Sequence, residues 1–136
     1  MINPIEHSKT KDGAKKYKIE PYVLAGDVYS ANQMEGRGGW SWYTGSSSWF
    51  YKVGIENILG LQIKQGYLQV NPCIPKEWKE YEIKYNFKDT KYNIVVKNPN
   101  GKSGGVTKMF LNHQEVPDFR VKLVNNQKIN EIEVII

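Results

Sequence analysis

The densest chemistry in the sequence lies in Gly36-Arg37-Gly38-Gly39-Trp40-Ser41-Trp42-Tyr43-Thr44-Gly45-Ser46. A Thr-Gly pair that opens a helix presents backbone N–H groups and a hydroxyl at the positive end of the helix dipole. That arrangement suits an oxyanion such as phosphate. Arg37 is placed to add a bidentate contact to the same anion. The plainer alternative is a helix cap after a glycine turn. Trp40, Trp42, Tyr43 and Trp49 offer flat faces that stack on sugar rings or bases, or that fill a core. Glu20, Asp27 and Glu35 are the carboxylates nearest in sequence. Nothing in their spacing fixes a pair at the separation that glycoside hydrolysis requires, and surface or capping roles suit each of them.

Elsewhere the sequence offers little reactive chemistry. His7 and His113 stand alone, with no metal-ligand spacing around them, and no phosphate loop, nucleophile elbow or dinucleotide fingerprint occurs. Cys73 is the one cysteine, which excludes a disulfide framework within the chain and a four-cysteine zinc site. Its setting, Asn71-Pro72-Cys73-Ile74-Pro75, predicts a buried structural thiol. The net charge of +5 is spread as single lysines, with seven basic and six acidic residues up to Gly60 and twelve and eight beyond it. No basic cluster forms a phosphate-backbone footprint, so nucleic acid is not an expected partner. No apolar run is long enough to span a bilayer, and the N-terminus lacks a secretory pattern, so a cytoplasmic protein without membrane contact is expected. At 136 residues the chain can bury a core but is too short for a complete large enzyme barrel, which takes about 250 residues.

Two regimes position these residues, with the change near Gly60. Residues 1–18 read as polar, extended chain. Glu20-Pro21 marks a helix start, and residues 21–30 are predicted helical. Tyr22, Val23, Leu24, Val28 and Tyr29 leave that helix almost no polar face. Residues 32–45, with four glycines and three aromatics, read as a long functional loop. Residues 46–59 form the clearest helix, capped by the hydroxyls of Ser46 to Ser48 and stopped by Gly60. Its apolar residues cover nearly every face, which demands burial in a larger helical assembly.

From Leu61 the hydrophobic period becomes two. A tight hairpin is predicted around Gln65-Gly66. Strands follow at residues 81–87, 92–96, 106–111, 119–123 and 129–136, with turns at Asn98-Pro99-Asn100-Gly101, Asn112-His113 and Asn125-Asn126. Six or seven antiparallel strands in two packed sheets are expected. The fold class is therefore α+β, mostly β.

Several motifs occur in one order: Asn3-Pro4-Ile5-Glu6-His7-Ser8, Tyr17-Lys18-Ile19-Glu20-Pro21-Tyr22-Val23, the Gly36–Ser46 segment, Ile58-Leu59-Gly60-Leu61 and Pro72-Cys73-Ile74-Pro75-Lys76-Glu77-Trp78. Together they resemble the C-terminal end of glycoside hydrolase family 94, which holds cellobiose phosphorylase and the C-terminal part of cyclic β-1,2-glucan synthase. The resemblance implies one or two terminal helices of an (α/α) six-hairpin barrel in residues 1–60, followed by an antiparallel β-sandwich-like domain in residues 61–136. It implies inverting phosphorolysis of a β-glucan or β-linked disaccharide, with inorganic phosphate as co-substrate and no other cofactor or metal. Phosphate binding is implied for Thr44 and Gly45, with Arg37 in support, and a sugar pocket for Trp40, Trp42 and Glu20. The family's general-acid aspartate has no counterpart here, and His7 does not take the role of its phosphate-binding histidine. The chain is thus expected to be inactive alone and to need the missing upstream barrel part, or to associate with further copies. The sequence departs mildly from the family pattern at Gly26 and at Ser46-Ser47-Ser48. The alternative is a free-standing carbohydrate-binding or structural, oligomerising β module.

Overall fold

The computed structural model describes residues 3–41 and 43–136, with the side chains of Tyr43, Thr44 and Ser46 outside that description. The chain divides into two compact units, Met1–Val53 and Gly54–Ile136.

The first unit opens with two short helices where extended chain was expected, α1 (Pro4–Ser8) and α2 (Lys11–Tyr17). Both are set by caps. The Asn3 side chain accepts from the Ile5 N–H at 3.0 Å, with Pro4 at the first helical position. The Thr10 hydroxyl accepts from the Gly13 N–H at 3.0 Å. Lys18, left-handed at φ 58°, closes α2 by donating its N–H to the Ala14 carbonyl at 3.0 Å. His7 and the buried Tyr17 stack, their rings 4.7 Å apart and within 6° of parallel. Burial also pushes the Tyr17 phenol above its ordinary pKa.

Residues 21–30 are not helical. Their backbone groups pair instead with residues 36–41, through bridges Ala25–Ser41 and Val28–Gly38. The helix α3 runs Tyr43–Lys52, three residues ahead of its expected start, so Ser46 to Ser48 lie within it rather than capping it. A π-helical stretch, Val53–Ile58, follows. The burial expected for every face is absent, because Trp49 is 67% and Tyr51 72% exposed.

The second unit is a two-sheet β structure. One sheet orders β1 (Leu61–Lys64), β2 (Tyr67–Val70) and β7 (Val121–Lys122). The other orders β3 (Glu80–Phe87), β4 (Thr90–Lys97), β8 (Ile129–Ile135), β5 (Lys108–Leu111) and β6 (Gln114–Glu115). The β1–β2 hairpin turns at Gln65 and Gly66, both at positive φ, and the β5–β6 hairpin at Asn112 and His113, likewise. This is the backbone twist that two-residue hairpins favour. One pairing differs from the expected antiparallel order. The last strand, β8, inserts between β4 and β5 and runs parallel to β4.

The core is shared by both sheets. Leu68, Val70 and Val121 meet Ile94, Val96, Met109, Ile132 and Val134, all nearly inaccessible to solvent. Turns are tied to this core by buried polar side chains. Asn98 donates to the Trp78 and Lys102 carbonyls at 3.0 and 2.8 Å and accepts from the Lys102 N–H at 2.8 Å. Thr90 accepts from the N–H groups of Asn126 and Gln127, and the Tyr92 hydroxyl binds both backbone groups of Val124. Cys73 is exposed, contrary to expectation. Its neighbours Pro72 and Ile74 face inward, and the extended backbone between them turns the thiol out.

Candidate functional site

The aromatic-glycine segment forms one side of a two-stranded arm in the first unit. Tyr29 donates to the Arg37 carbonyl at 2.9 Å, Gly36 to Tyr29 at 2.8 Å, Gly39 to Asp27 at 3.0 Å and Gly26 to Trp40 at 2.5 Å. The Gly38 N–H donates to the Tyr17 carbonyl at 2.8 Å, which ties the arm to the end of α2. The glycines of Gly38-Gly39 are explained by space. A Cβ on Gly38 would lie 2.5 Å from Ile19 Cδ1 and 3.1 Å from the Tyr17 ring. A Cβ on Gly39 would run into the Asp27 carboxylate.

The arm leads into α3, so Thr44 and Gly45 occupy its first turn, where backbone N–H groups have no helical acceptor. Gly45 is exposed, and among the described residues beyond its chain neighbours and its own helix backbone, none lies within 4 Å of where its Cβ would be. Backbone N–H groups, open space and a positive helix end coincide there, which is the physical requirement for holding an anion. Trp40 is 72% exposed on the arm. Arg37 is exposed, and no described residue forms a hydrogen bond or ion pair with its guanidinium. Glu20 sits exposed in the turn after α2, its carbonyl accepting from the Val23 N–H at 3.4 Å. Trp42 and the Thr44 side chain lie outside the described residues. The structure therefore gathers Arg37, Trp40 and the start of α3 along one continuous segment. It joins Glu20 to none of them by a hydrogen bond or ion pair among the described residues.

Asp27, which the sequence suited to a surface or capping role, lies against the arm. Its carboxylate, not that of Glu20, packs on the glycine strand, and no described residue pairs with it. The only sequence signal was the doubled glycine opposite it, which acquires meaning once the pairing of residues 25–29 with 36–41 is known. Among the described residues, no group of three His, Cys, Asp or Glu side chains could hold a metal ion, and no helix is long and apolar enough to cross a membrane.

Comparison with known proteins gives the family. Residues 1–60 match the model of the glycosyl hydrolase 94 superfamily catalytic domain, and residues 61–102 that of the glycosyl hydrolase family 65 C-terminal domain. The cyclic β-(1,2)-glucan synthase NdvB of Rhizobium meliloti (strain 1021) is 41% identical over 96 residues, covering 71% of this chain and 3% of that protein. The N,N'-diacetylchitobiose phosphorylase of Vibrio furnissii is 31% identical over 123 residues, covering 90% of this chain and 15% of that protein. The corresponding phosphorylase of Vibrio proteolyticus is 34% identical over 112 residues, covering 82% and 14%. The chain belongs to the glycosyl hydrolase 94 family. It spans only a small part, at most 15%, of the length of these relatives.

Proposed function

We propose that this chain is the C-terminal part of an inverting glycoside phosphorylase that acts on β-glucosides. The observation that carries the reading is the start of α3. The N–H groups of its first turn, at Thr44-Gly45, have no helical acceptor and lie at a positive helix end, with open space beside Gly45. In this reading the pair binds inorganic phosphate, and Arg37 contributes a charged contact from the arm. Trp40 and Trp42 supply stacking faces for the sugar, and Glu20 accepts hydroxyl hydrogen bonds at its rim. The catalytic acid belongs to a barrel part outside this sequence, so the chain alone does not turn over substrate.

The exposed Trp49 and Tyr51 support the second half of the proposal. Large apolar side chains left in water on a helix mark a surface that has a partner. Here that partner is the remainder of an (α/α) six-hairpin barrel, in which residues 1–60 supply the last helices.

The test is reconstitution. The chain is mixed with a recombinant upstream barrel part, and release of glucose 1-phosphate from β-linked disaccharides is measured against phosphate concentration. Activity is expected only in the mixture. Thr44→Ala should raise the phosphate concentration needed for half-maximal rate, by about tenfold for the loss of one hydrogen bond to a charged group. An unchanged phosphate dependence would remove the Thr44 hydroxyl from the site.

A further inference from the structure

The outer face of the five-stranded sheet is hollowed into a cleft of about 760 Å³. Strand register builds its floor. Glu82, Val95, Glu133 and Phe110 form one row across β3, β4, β8 and β5. Lys84, Asn93 and Glu131 form the next. Ile94, Met109 and Ile132, which alternate with these residues, are buried in the core, so the rows face outward.

The charge of this face runs against that of the chain. The lining holds four carboxylates, Glu80, Glu82, Glu131 and Glu133, against two ammonium groups, Lys84 and Lys97, and the His113 imidazole, 3.9 Å from Glu131 Oε2, in a protein of net charge +5. Lys97 Nζ bonds Glu133 Oε2 at 2.7 Å, which fixes both side chains at the cleft wall. That bond also holds the Lys97 amine above its ordinary pKa. Glu82 has no ion-pair partner among the described residues. The arrangement is a small apolar centre, Val95 and Phe110, bordered by hydrogen-bond acceptors.

Phosphate, nucleic acid and acidic sugars are disfavoured by the surplus of carboxylates. A purely apolar segment would strip water from Glu82 and Glu131 without returning a hydrogen bond. A pyranose answers both demands. Its C–H face covers the valine and phenylalanine, and its hydroxyls donate to the carboxylates. We propose that this cleft binds a neutral oligosaccharide. The proposal is independent of the phosphate reading of Thr44 and Gly45.

The test is an NMR titration of the ¹⁵N-labelled full chain with cellotetraose and with β-1,2-linked glucotetraose, neither needing a second protein. Saturable shifts are expected at the amides of Glu82, Val95, Phe110 and Glu133, with a millimolar dissociation constant. Phe110→Leu keeps an apolar side chain at this outward position and should weaken binding about three- to tenfold through loss of the ring face. Glu82→Lys, at an exposed position, should weaken it without unfolding the chain. The proposal is overturned by absence of shifts at millimolar excess, or by shifts confined to residues outside the cleft. It is also overturned if the same amides shift with protein concentration alone and sedimentation finds a dimer, which would make the face a contact between copies. None of these results bears on the phosphate dependence of the reconstituted enzyme.

Discussion

Adding one methyl group at Gly38 tests why the arm carries two adjacent glycines. In the native geometry the new Cβ of Gly38→Ala would sit 2.5 Å from Ile19 Cδ1, 2.8 Å from Ile19 Cγ1 and 3.1 Å from Tyr17 Cε2. Carbon atoms in favourable contact lie about 3.5–4.0 Å apart, so Ile19 must yield by roughly 1 Å or more. Overpacking of this kind costs about 1–3 kcal/mol. Because the Gly38 N–H is the bond that ties the arm to Tyr17, the cost falls on local opening of the arm. Native-state hydrogen exchange reads it directly. The amides of Gly26, Tyr29, Gly38 and Gly39 should exchange about 5- to 150-fold faster, the ratio that corresponds to 1–3 kcal/mol. Amides of β4 and β8 should be unaffected. Ile19→Ala removes both colliding atoms, so the double variant should recover part of the loss, with a coupling energy above about 0.5 kcal/mol. Exchange in Gly38→Ala at the wild-type rate, or strict additivity of the two changes, would refute the account of the glycine pair as a space requirement.

Two further outcomes follow from the second unit. The Tyr81 hydroxyl donates to the Leu59 carbonyl at 2.7 Å, and burial pushes its pKa well above the ordinary 10.0. An acid whose pKa is raised by folding stays protonated while its unfolded counterpart ionises, so stability falls as pH rises above about 10. Absorbance titration should show Tyr81 ionising only with unfolding, and Tyr81→Phe should flatten the alkaline stability loss. Cys73 is exposed, so Ellman's reagent should modify it stoichiometrically in the native chain without a preceding unfolding step. A thiol that reacts only in denaturant would contradict its placement.

Much of the second unit is legible in the sequence alone. Tyr81, Ile83, Tyr85 and Phe87 alternate with polar residues because one sheet face is packed and the other wet, and that pattern survives in the sequence. Gln65-Gly66 and Asn112-His113 announce their hairpins because few residues accept positive φ. The parallel insertion of β8 beside β4 leaves no such trace, since alternation reports which face is buried and not which strand lies alongside.

The first sixty residues are harder to read because their apolar content does not report a local partner. Residues 21–30 carry the density of a buried helix. They pair instead with residues 36–41, an arrangement that depends on glycines distant in sequence making room for Asp27, Ile19 and Tyr17. The caps at Asn3-Pro4 and Thr10 are present in the sequence, but helices of five and seven residues have too little periodicity to stand out.

By itself the sequence determined the mostly β class, the hairpin turns and the Gly36–Ser46 motif that carries the family, because these depend on residue type and short spacing. Tertiary structure alone decided that Asp27 packs on the glycine strand. It likewise decided that Glu82, Val95, Glu133 and Phe110 line one cleft. Each of these requires segments far apart in the chain to meet, and the free energy of that meeting resides in packing and hydrogen bonds that no local pattern encodes.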